Sequence, residues 1–431
     1  MSSKNTALKL YTFLFLTCFT LFWGQYQRFG LGLFSYMAAD FALFLVAAVF
    51  SALIILQNGG RFYLDRGSKL FAGLFLLTCV EVLHTRNVAA TQPLYLTLSE
   101  AFPYISVCLE AFALSRLIRR KEDLDRFMDA IEAASILIAC FSILQFAVYP
   151  EIIIFPTNSL PLRNGLNRIY IGGGSVLSMG WLISVGNLFS RRKGKIISLV
   201  NCILVFVTLA LVRQARSNTV CLLIVLLAGL LEVSNIPKTA RPILFVTITG
   251  VLAGVMIFAV GETPIAALIR NDAGFRARLQ GLEFFMDKFK EYPVLGMGFI
   301  TTSGNLDPVS YSLLCSSSGY RFDRSDLGIV GVLNMFGLLG IVWYAAFLHR
   351  IGKNAKQIRQ SNGMIHGKLI LWYLIVTSVN LIVMTMQMSM MIALTVVLTD
   401  KMREFSCQDL RGSNDEIGQD RFVWSESAIG K

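Results

Sequence analysis

Long apolar stretches recur through almost the whole chain. A helix needs about 20 apolar residues to cross roughly 30 Å of hydrocarbon. Stretches of about this length lie at 8–23, 36–56, 69–84, 94–118, 128–149, 169–190, 196–212, 218–233, 242–260 and 327–348. A further stretch, Leu369 to Thr399, is too long for one helix and fits a hairpin of two short helices that turns between Asn380 and Gln387. The pattern predicts an all-α polytopic membrane protein with about twelve transmembrane helices.

The low content of charged residues supports this interpretation. Only 15% of the 431 residues are charged and 55% are apolar, whereas a soluble domain carries roughly a quarter charged residues. Soluble enzymes, disordered chains and disulfide scaffolds are therefore poor interpretations. The eight cysteines form no CxxC pair and no spacing typical of a metal site.

The Lys and Arg residues are distributed unequally between the two sides of the predicted spans. If the N-terminus is cytoplasmic, 26 of the 39 lie in inner segments and 13 in outer segments. Because cytoplasmic loops are enriched in these residues, we expect both termini in the cytoplasm. The net charge of +12 is then mainly a topology signal and not a sign of nucleic-acid binding.

Two polar segments interrupt the series of spans. One is an outer loop of residues 261–326 between spans 9 and 10, and loops of that length are usually functional. The other, residues 400–431, has mixed charge and is predicted to be a disordered cytoplasmic tail. The sequence therefore predicts one transmembrane domain, residues 1–399, followed by this tail.

Arginines on the predicted outer face are the first candidates for a functional site, because the rule for positive charge disfavours them there. Arg213 and Arg216 lie between two spans with almost no loop to hold them. They can extend to lipid headgroups or bind an anion, since a guanidinium fits phosphate and carboxylate groups. The long outer loop adds Arg270, Arg276 and Arg278.

The residues after these arginines predict a helix and then a turn. Leu279 to Lys290 alternate apolar and charged residues at helical spacing, which is typical of an amphipathic helix lying along a membrane surface. Pro293, Gly296 and Gly298 then form a turn where the backbone can approach a ligand closely, although the pattern alone also fits a simple loop. The predicted apolar face consists of Leu279, Leu282, Phe285, Met286 and Phe289.

Carboxylates inside the predicted spans are the second class of candidate, because such groups are expensive in hydrocarbon. Asp40 and Glu132 fall near span ends, where a structural role is expected. Three further carboxylates can pair with arginines or line a cavity: Glu81, Glu100 and Glu110.

The three histidines exclude one kind of site on the outer face. Only His84 lies there, whereas His349 and His366 are predicted to be cytoplasmic. A metal site built from several histidines is therefore not expected, and a general base is more naturally a carboxylate.

The outer loop and the span after it resemble the O-antigen polymerase and ligase family of membrane glycosyltransferases. That family has an Arg, an apolar or aromatic residue four positions on, a helix, and then Pro-x-x-Gly-x-Gly. This chain has Arg278, Leu282 and then Pro-Val-Leu-Gly-Met-Gly at 293–298. The family continues with His-Asn-x-x-Leu and Gly-Leu-x-Gly, where this chain has Asp326 at the position of the His and Gly-Leu-Leu-Gly at 337–340.

The resemblance also implies roles for individual residues. Ala215-Arg216-Ser217 is similar to the family's Ser-Arg element, so Arg216 and Arg278 are implied to bind a pyrophosphate. Asp326 would orient or deprotonate an acceptor hydroxyl, and it equally fits an N-cap for the following helix; the two roles are compatible. Further substrate-binding residues implied in this way, or by proximity in the sequence, are Arg213, Arg270, Arg276, Gly296 and Gly298.

The resemblance implies a GT-C-type fold in a bacterial inner membrane, with neither metal nor cofactor. The implied reaction is polymerisation of polyprenyl-pyrophosphate-linked repeat units of O-antigen or exopolysaccharide. Two alternatives stay open. One is a ligase of the same family, against which the absence of the His counts. The other is a twelve-span transporter or flippase, although the usual paired interrupted helices are not evident. The implied partners are the lipid-linked oligosaccharides, membrane lipid, a flippase and chain-length or export proteins, and no nucleic acid.

Overall fold

The computed structural model describes a large part of the chain between residues 49 and 407. The described residues are 49, 52–53, 56, 66–152, 160–163, 166–169, 173–190, 194–234, 273–301, 313–315, 322, 324, 327–379, 384 and 390–407. Most of them are helical, as the apolar stretches predict. The predicted spans at 8–23 and 242–260, and most of that at 36–56, lie outside the described residues.

The helices follow the predicted spans closely. In chain order they are α1 (Arg66–Val88), α2 (Leu94–Leu117), α3 (Lys121–Val148), α4 (Gly174–Phe189), α5 (Lys195–Val207), α6 (Arg216–Val233), α7 (Ala273–Glu291), α8 (Ile329–Asn362), α9 (His366–Thr377) and α10 (390–407). α5 continues as a π-helical turn, Thr208–Val212. Between α3 and α4, β1 (Leu160–Arg163) and β2 (Leu166–Arg168) form an antiparallel hairpin, which the all-α prediction did not include.

Three helices in the described part of the chain are long and apolar enough to cross a membrane. They are α3, α5 together with its π-helical turn, and α8. α4 and residues 217–233 of α6 are also apolar but shorter. The described residues thus support a helical membrane protein.

α4 lies in the interior of the helical bundle. Its residues from Ser175 to Asn187 are all buried, as expected for a helix that is apolar on every side. It packs against α3 and α5, and α9 joins it to α6 and α8. α1 packs against α2 and α8, and Trp343 Nε1 of α8 donates a hydrogen bond to the Leu70 carbonyl of α1 at 2.9 Å.

α8 is longer than the span predicted at 327–348. It continues through the predicted cytoplasmic loop because Ile351, Ala355 and Ile358 keep a buried face at helical spacing. It ends at Gly363, whose φ of 71° is left-handed, a common way to end a helix. Inside α8, Gly337 has φ 56° and ψ −155°, so the helix is broken there.

The last apolar stretch forms two helices, as predicted. α9 ends at Thr377 and the chain is helical again over 390–407. α10 continues past Asp400, so the first residues of the predicted disordered tail, 400–407, are helical, and residues 408–431 lie outside the described residues. The Asp400 carboxylate accepts hydrogen bonds from Arg350 Nη2 at 2.5 Å and Asn354 Nδ2 at 2.6 Å, which ties this end of α10 to α8.

α7 confirms the amphipathic helix predicted in the outer loop, but its buried face differs in part. Phe285 is fully buried, whereas Leu279 is 51% exposed and Met286 38% exposed. Phe284, which the spacing left off the apolar face, packs against Phe322 with ring centroids 5.3 Å apart. The face is shifted because the segment before α8 covers α7, a contact that helical spacing alone does not reveal.

Candidate functional site

Residues 293–301 leave α7 as an irregular segment, called here the glycine turn. Gly296 and Gly298 have φ angles of 71° and 74°, a region of backbone conformation that strongly favours glycine. A Cβ on Gly296 would lie 2.6 Å from the Asn334 carbonyl oxygen of α8, and one on Gly298 would overlap Thr85 Oγ1 of α1. The two glycines are therefore needed where the turn approaches two helices closely.

The glycine turn fills the break in α8. In a regular helix the N–H groups of Leu338 and Leu339 would donate to the carbonyls of Asn334 and Met335, but the conformation of Gly337 separates them. The glycine turn supplies a partner for all four groups. The hydrogen bonds are Met297 N to Asn334 O (2.7 Å), Gly298 N to Met335 O (3.1 Å), Leu338 N to Pro293 O (3.0 Å) and Leu339 N to Val294 O (3.3 Å).

This arrangement joins the two segments on which the family resemblance rests. Residues 293–298 and residues 337–340 lie far apart in the sequence, but Leu338 N and Leu339 N donate to the carbonyls of Pro293 and Val294. A Cβ on Gly337 would lie 2.6 Å from Gly296 N and would overlap the Val294 carbonyl. One glycine of each motif, Gly296 and Gly337, is therefore required by a single backbone junction.

α1 supports the glycine turn from another side. His84 Nε2 is hydrogen bonded to the Gly296 carbonyl at 3.0 Å. Thr85 Oγ1 accepts a hydrogen bond from Phe299 N at 2.8 Å and donates one to the Glu81 carbonyl at 2.6 Å. One helical turn of α1 thus fixes the middle of the glycine turn.

Gln92 and Glu100 hold the end of the glycine turn. The buried Gln92 side chain donates to the Phe299 carbonyl at 2.9 Å and accepts from Thr301 N at 3.0 Å. Thr301 Oγ1 donates to Glu100 Oε1 at 3.2 Å. All backbone N–H groups of residues 296–301 therefore have acceptors within the protein. Close packing explains Gly296 and Gly298, and substrate binding by these two residues stays a prediction.

Arg324 also holds the glycine turn, and sequence reasoning missed it. Its side chain is 4% exposed. Nη1 donates to the Gly298 carbonyl at 2.9 Å and Nη2 to the Ile300 carbonyl at 2.7 Å. No motif marks this arginine, and its only signal in the sequence was its position two residues before Asp326.

Arg213 and Arg216 lie in a second region, where α4 and α6 begin. The Arg213 side chain is 1% exposed, so it lies inside the protein and does not extend to lipid headgroups. A Cβ on Gly174, at the N-terminus of α4, would lie 3.6 Å from Arg213 Nη1. Because a helix N-terminus carries partial positive charge, the Arg213 guanidinium adds to the positive charge at the start of α4. Arg216 is the first residue of α6, and its side chain lies outside the described residues.

The other predicted site residues are described only in part. Arg278 is half-buried on α7. Arg276 is described only in its α7 backbone. The candidates that lie outside the described residues are Asp40, Arg270 and Asp326. Within the described ranges, no three His, Cys, Asp or Glu side chains are grouped so that they could hold a metal ion.

Comparisons with known proteins do not assign the chain to a family. No protein-family model matches the sequence, and a search of curated proteins also finds no match. The family resemblance thus depends on the motif residues themselves, of which the segments 293–298 and 337–340 are in contact.

Besides Glu100, two further candidate carboxylates, Glu132 and Glu110, have hydrogen-bond donors among the described residues. Glu132 Oε1 of α3 accepts a hydrogen bond from Ser184 Oγ of α4 at 2.5 Å, and Asn201 Nδ2 of α5 donates to Ser184 Oγ at 2.9 Å. Glu110 Oε1 accepts from Ser106 Oγ at 2.7 Å. The contacts of Glu132 link three helices, which fits the structural role expected of it.

Glu81 differs from these carboxylates. It is fully buried on α1, and neither carboxylate oxygen has a hydrogen-bond partner among the described residues. Burial of a polar group without a partner costs about 1–3 kcal/mol in proteins. Glu81 is therefore a local source of instability directly beneath Thr85 and the glycine turn.

We expect the substitution Glu81→Leu to raise the free energy of unfolding by about 1 kcal/mol, because it replaces an unpartnered buried carboxyl with an apolar side chain. Thermal unfolding of the purified protein in detergent measures this change. Glu110→Leu is the matched control on α2, and it should gain less because it deprives the Ser106 hydroxyl of its acceptor. A lower stability of the Glu81 variant would contradict the prediction.

Proposed function

We propose that the protein is a membrane glycosyltransferase that polymerises lipid-linked oligosaccharide repeat units of an O-antigen or exopolysaccharide. A hydroxyl at the non-reducing end of a new lipid-linked repeat attacks the anomeric carbon of the growing chain. The bond from that carbon to the pyrophosphate breaks, and the polyprenyl pyrophosphate leaves. The reaction needs neither a metal nor another cofactor in this proposal, because arginines neutralise the charge on the pyrophosphate.

The observation that carries the proposal is the junction of the glycine turn with the break in α8. The resemblance to the polymerase and ligase family depends on short motifs, which can match by chance. Two motifs that match by chance have no reason to be in contact in the folded protein. Here two backbone N–H groups of the Gly-Leu-Leu-Gly segment, those of Leu338 and Leu339, donate to the Pro293 and Val294 carbonyls of the Pro-x-x-Gly-x-Gly segment. This contact supports their origin in one functional unit.

The proposed chemistry assigns the charged residues as follows. Arg216 and Arg278 bind the pyrophosphate and stabilise the charge that develops as it leaves. The buried guanidinium of Arg213 adds fixed positive charge where α4 and α6 begin. Asp326 accepts the proton of the attacking hydroxyl. Arg270 and Arg276 are further contacts in the same outer loop.

The proposal also includes the finer architecture and the location. It places the chain in a bacterial inner membrane with about twelve spans, a GT-C-type fold and both termini in the cytoplasm. The three described helices that are able to span a membrane support the location in a membrane. Its partners would be the flippase that delivers lipid-linked repeats and the chain-length or export proteins that receive the polymer.

The lipid-linked oligosaccharides that accumulate in a deletion strain test the proposal. We expect single repeat units on the polyprenyl carrier, because their polymerisation is the step that is lost. Complementation with the wild-type gene should restore full-length chains. Accumulation of full-length chains on the carrier would instead indicate a ligase. An unchanged set of lipid-linked intermediates would contradict both activities and leave a transporter.

A further inference from the structure

A short segment before α8 contacts both α7 and the glycine turn. Phe322 packs against Phe284 and Phe285 of α7, with ring centroids 5.3 and 6.3 Å apart. Leu327 is buried in the same apolar cluster. Arg324 lies between these two residues in the chain and donates its hydrogen bonds to the glycine turn. The segment therefore connects α7 with the junction at α8.

The contacts of Arg324 require the shape of a guanidinium as well as its charge. Its two Nη atoms donate to the carbonyls of Gly298 and Ile300, which are two residues apart. A planar fork can reach both carbonyls at once, whereas a lysine has one nitrogen. Because the side chain is 4% exposed and both Nη atoms donate to protein carbonyls, it acts on the protein and not directly on a ligand.

The main chain at Arg324 is fixed as well. Its carbonyl accepts a hydrogen bond from Leu327 N at 3.3 Å, near the start of α8. A Cβ on Gly331, in the first turn of α8, would overlap that carbonyl. A displacement of Arg324 would therefore move the Phe322 contact with α7 relative to the glycine turn.

We propose that Arg324 is a positioning residue that holds α7, and with it Arg278, in fixed register with the glycine turn. The inference rests on the proposed function, in which Arg278 binds the pyrophosphate of the lipid carrier. Loss of the two hydrogen bonds leaves the charge of Arg278 unchanged but allows it to occupy many positions. Ordering Arg278 on the pyrophosphate then costs binding free energy, so substrate binding weakens, while the chemical step of the complex in which Arg278 contacts the pyrophosphate is largely kept.

The kinetic test uses membranes that contain the wild type, Arg324→Lys or Arg324→Met. The substrate is the lipid-linked oligosaccharide extracted from the deletion strain. We expect KM to rise about tenfold or more in both variants while kcat stays within about threefold, since two hydrogen bonds from a charged group are lost or impaired. Arg126→Lys, at an exposed arginine of α3, is the control and should leave both constants unchanged.

The lysine variant separates position from charge. If Arg324 acted only as a positive charge, Arg324→Lys would behave like the wild type and the inference would be overturned. If Arg324 acts by donating to both carbonyls at once, the KM of Arg324→Lys rises as it does in Arg324→Met.

Native cysteines give a second readout that does not depend on activity. Cys315 is 5% exposed and follows Leu314, whose carbonyl accepts a hydrogen bond from Phe322 N at 3.0 Å. Cys221 of α6 is 6% exposed and serves as an internal control. In both Arg324 variants we expect maleimide to label Cys315 about tenfold faster in detergent-solubilised protein, with Cys221 unchanged.

Each outcome decides the inference. Unchanged labelling of Cys315 would overturn it, as would an unchanged KM. Faster labelling of both cysteines, or failure of Arg324→Lys to accumulate in membranes, would also overturn it, because Arg324 would then be needed for folding and not for positioning. If the wild type itself forms no polymer, the proposed function fails, and the labelling of Cys315 alone decides whether Arg324 holds this region together.

Discussion

Gly337→Ala is expected to lower the free energy of unfolding by about 3 kcal/mol, at the upper end of the range for a residue forced into a disfavoured backbone conformation. Gly337 has φ 56°. A Cβ at this position would overlap the Val294 carbonyl and lie 2.6 Å from Gly296 N. The new methyl group would push the glycine turn out of the break in α8. Four backbone hydrogen bonds would then lose their partners.

Thermal unfolding of the purified protein in detergent measures this effect, and α8 contains its own control. Gly352 lies in a regular part of the same helix, and a Cβ there would meet only Leu371 Cδ2 at 3.7 Å and Cδ1 at 4.0 Å. Gly352→Ala should therefore be neutral or stabilise the protein by up to about 1 kcal/mol, because alanine favours helix. Equal unfolding temperatures for the two variants would show that the glycine turn does not depend on the break.

The second large effect concerns the arginines assigned to the pyrophosphate. Arg278→Ala and Arg216→Ala are each expected to abolish polymer, with a loss of at least about 100-fold in rate, because each removes a fixed positive donor from the charge that develops on the leaving group. Folding should be retained, since Arg278 is half-buried on α7 and Arg216 begins α6. The length distribution of polysaccharide from the complemented deletion strain is the measurement.

Lys290→Ala is the matched control for Arg278→Ala on the same helix. Lys290 is exposed and forms an ion pair with Asp287 at 2.7 Å, and this hydrogen bond raises the pKa of Lys290. Its removal deletes a positive charge from α7 without touching the assigned pyrophosphate ligands, so polymer length should not change. Arg213 is less suitable for this test because its side chain is buried and its loss could unfold the protein. Full-length polysaccharide from either arginine variant would contradict the pyrophosphate assignment.

Much of the helical architecture could be predicted from the sequence because apolar length is a strong signal. α2 begins and ends within a residue of the predicted span. The errors arise where a helix continues beyond the apolar part. α8 and α10 both continue beyond their predicted apolar stretches, where Asp400 of α10 contacts Arg350 and Asn354 of α8. Contacts between helices that are distant in the sequence leave no local pattern. The hairpin of β1 and β2 had a usable signal, the Asn-Gly pair at 164–165, which is typical of a tight turn between strands.

The candidate site was predictable only in its backbone. Glycines at 296, 298 and 337 indicate unusual conformations, and the structure gives the reason in the close approach of three segments. The side chains that hold the turn were not predictable, because Gln92 and Arg324 are ordinary polar residues whose partners are chosen by the tertiary fold. Single buried side chains at large sequence separation leave no periodic pattern.

The position of the break in α8 has a mechanical consequence. From Gly337 to Asn362 the helix runs for about 38 Å at 1.5 Å per residue. This part of the helix begins at the junction with the glycine turn. A change of about 10° in direction at Gly337 would displace the far end by about 7 Å. A small angular difference at the junction thus corresponds to a larger displacement at the distant end of α8, which lies beside α10, where Asn362 Nδ2 donates to Ser406 Oγ.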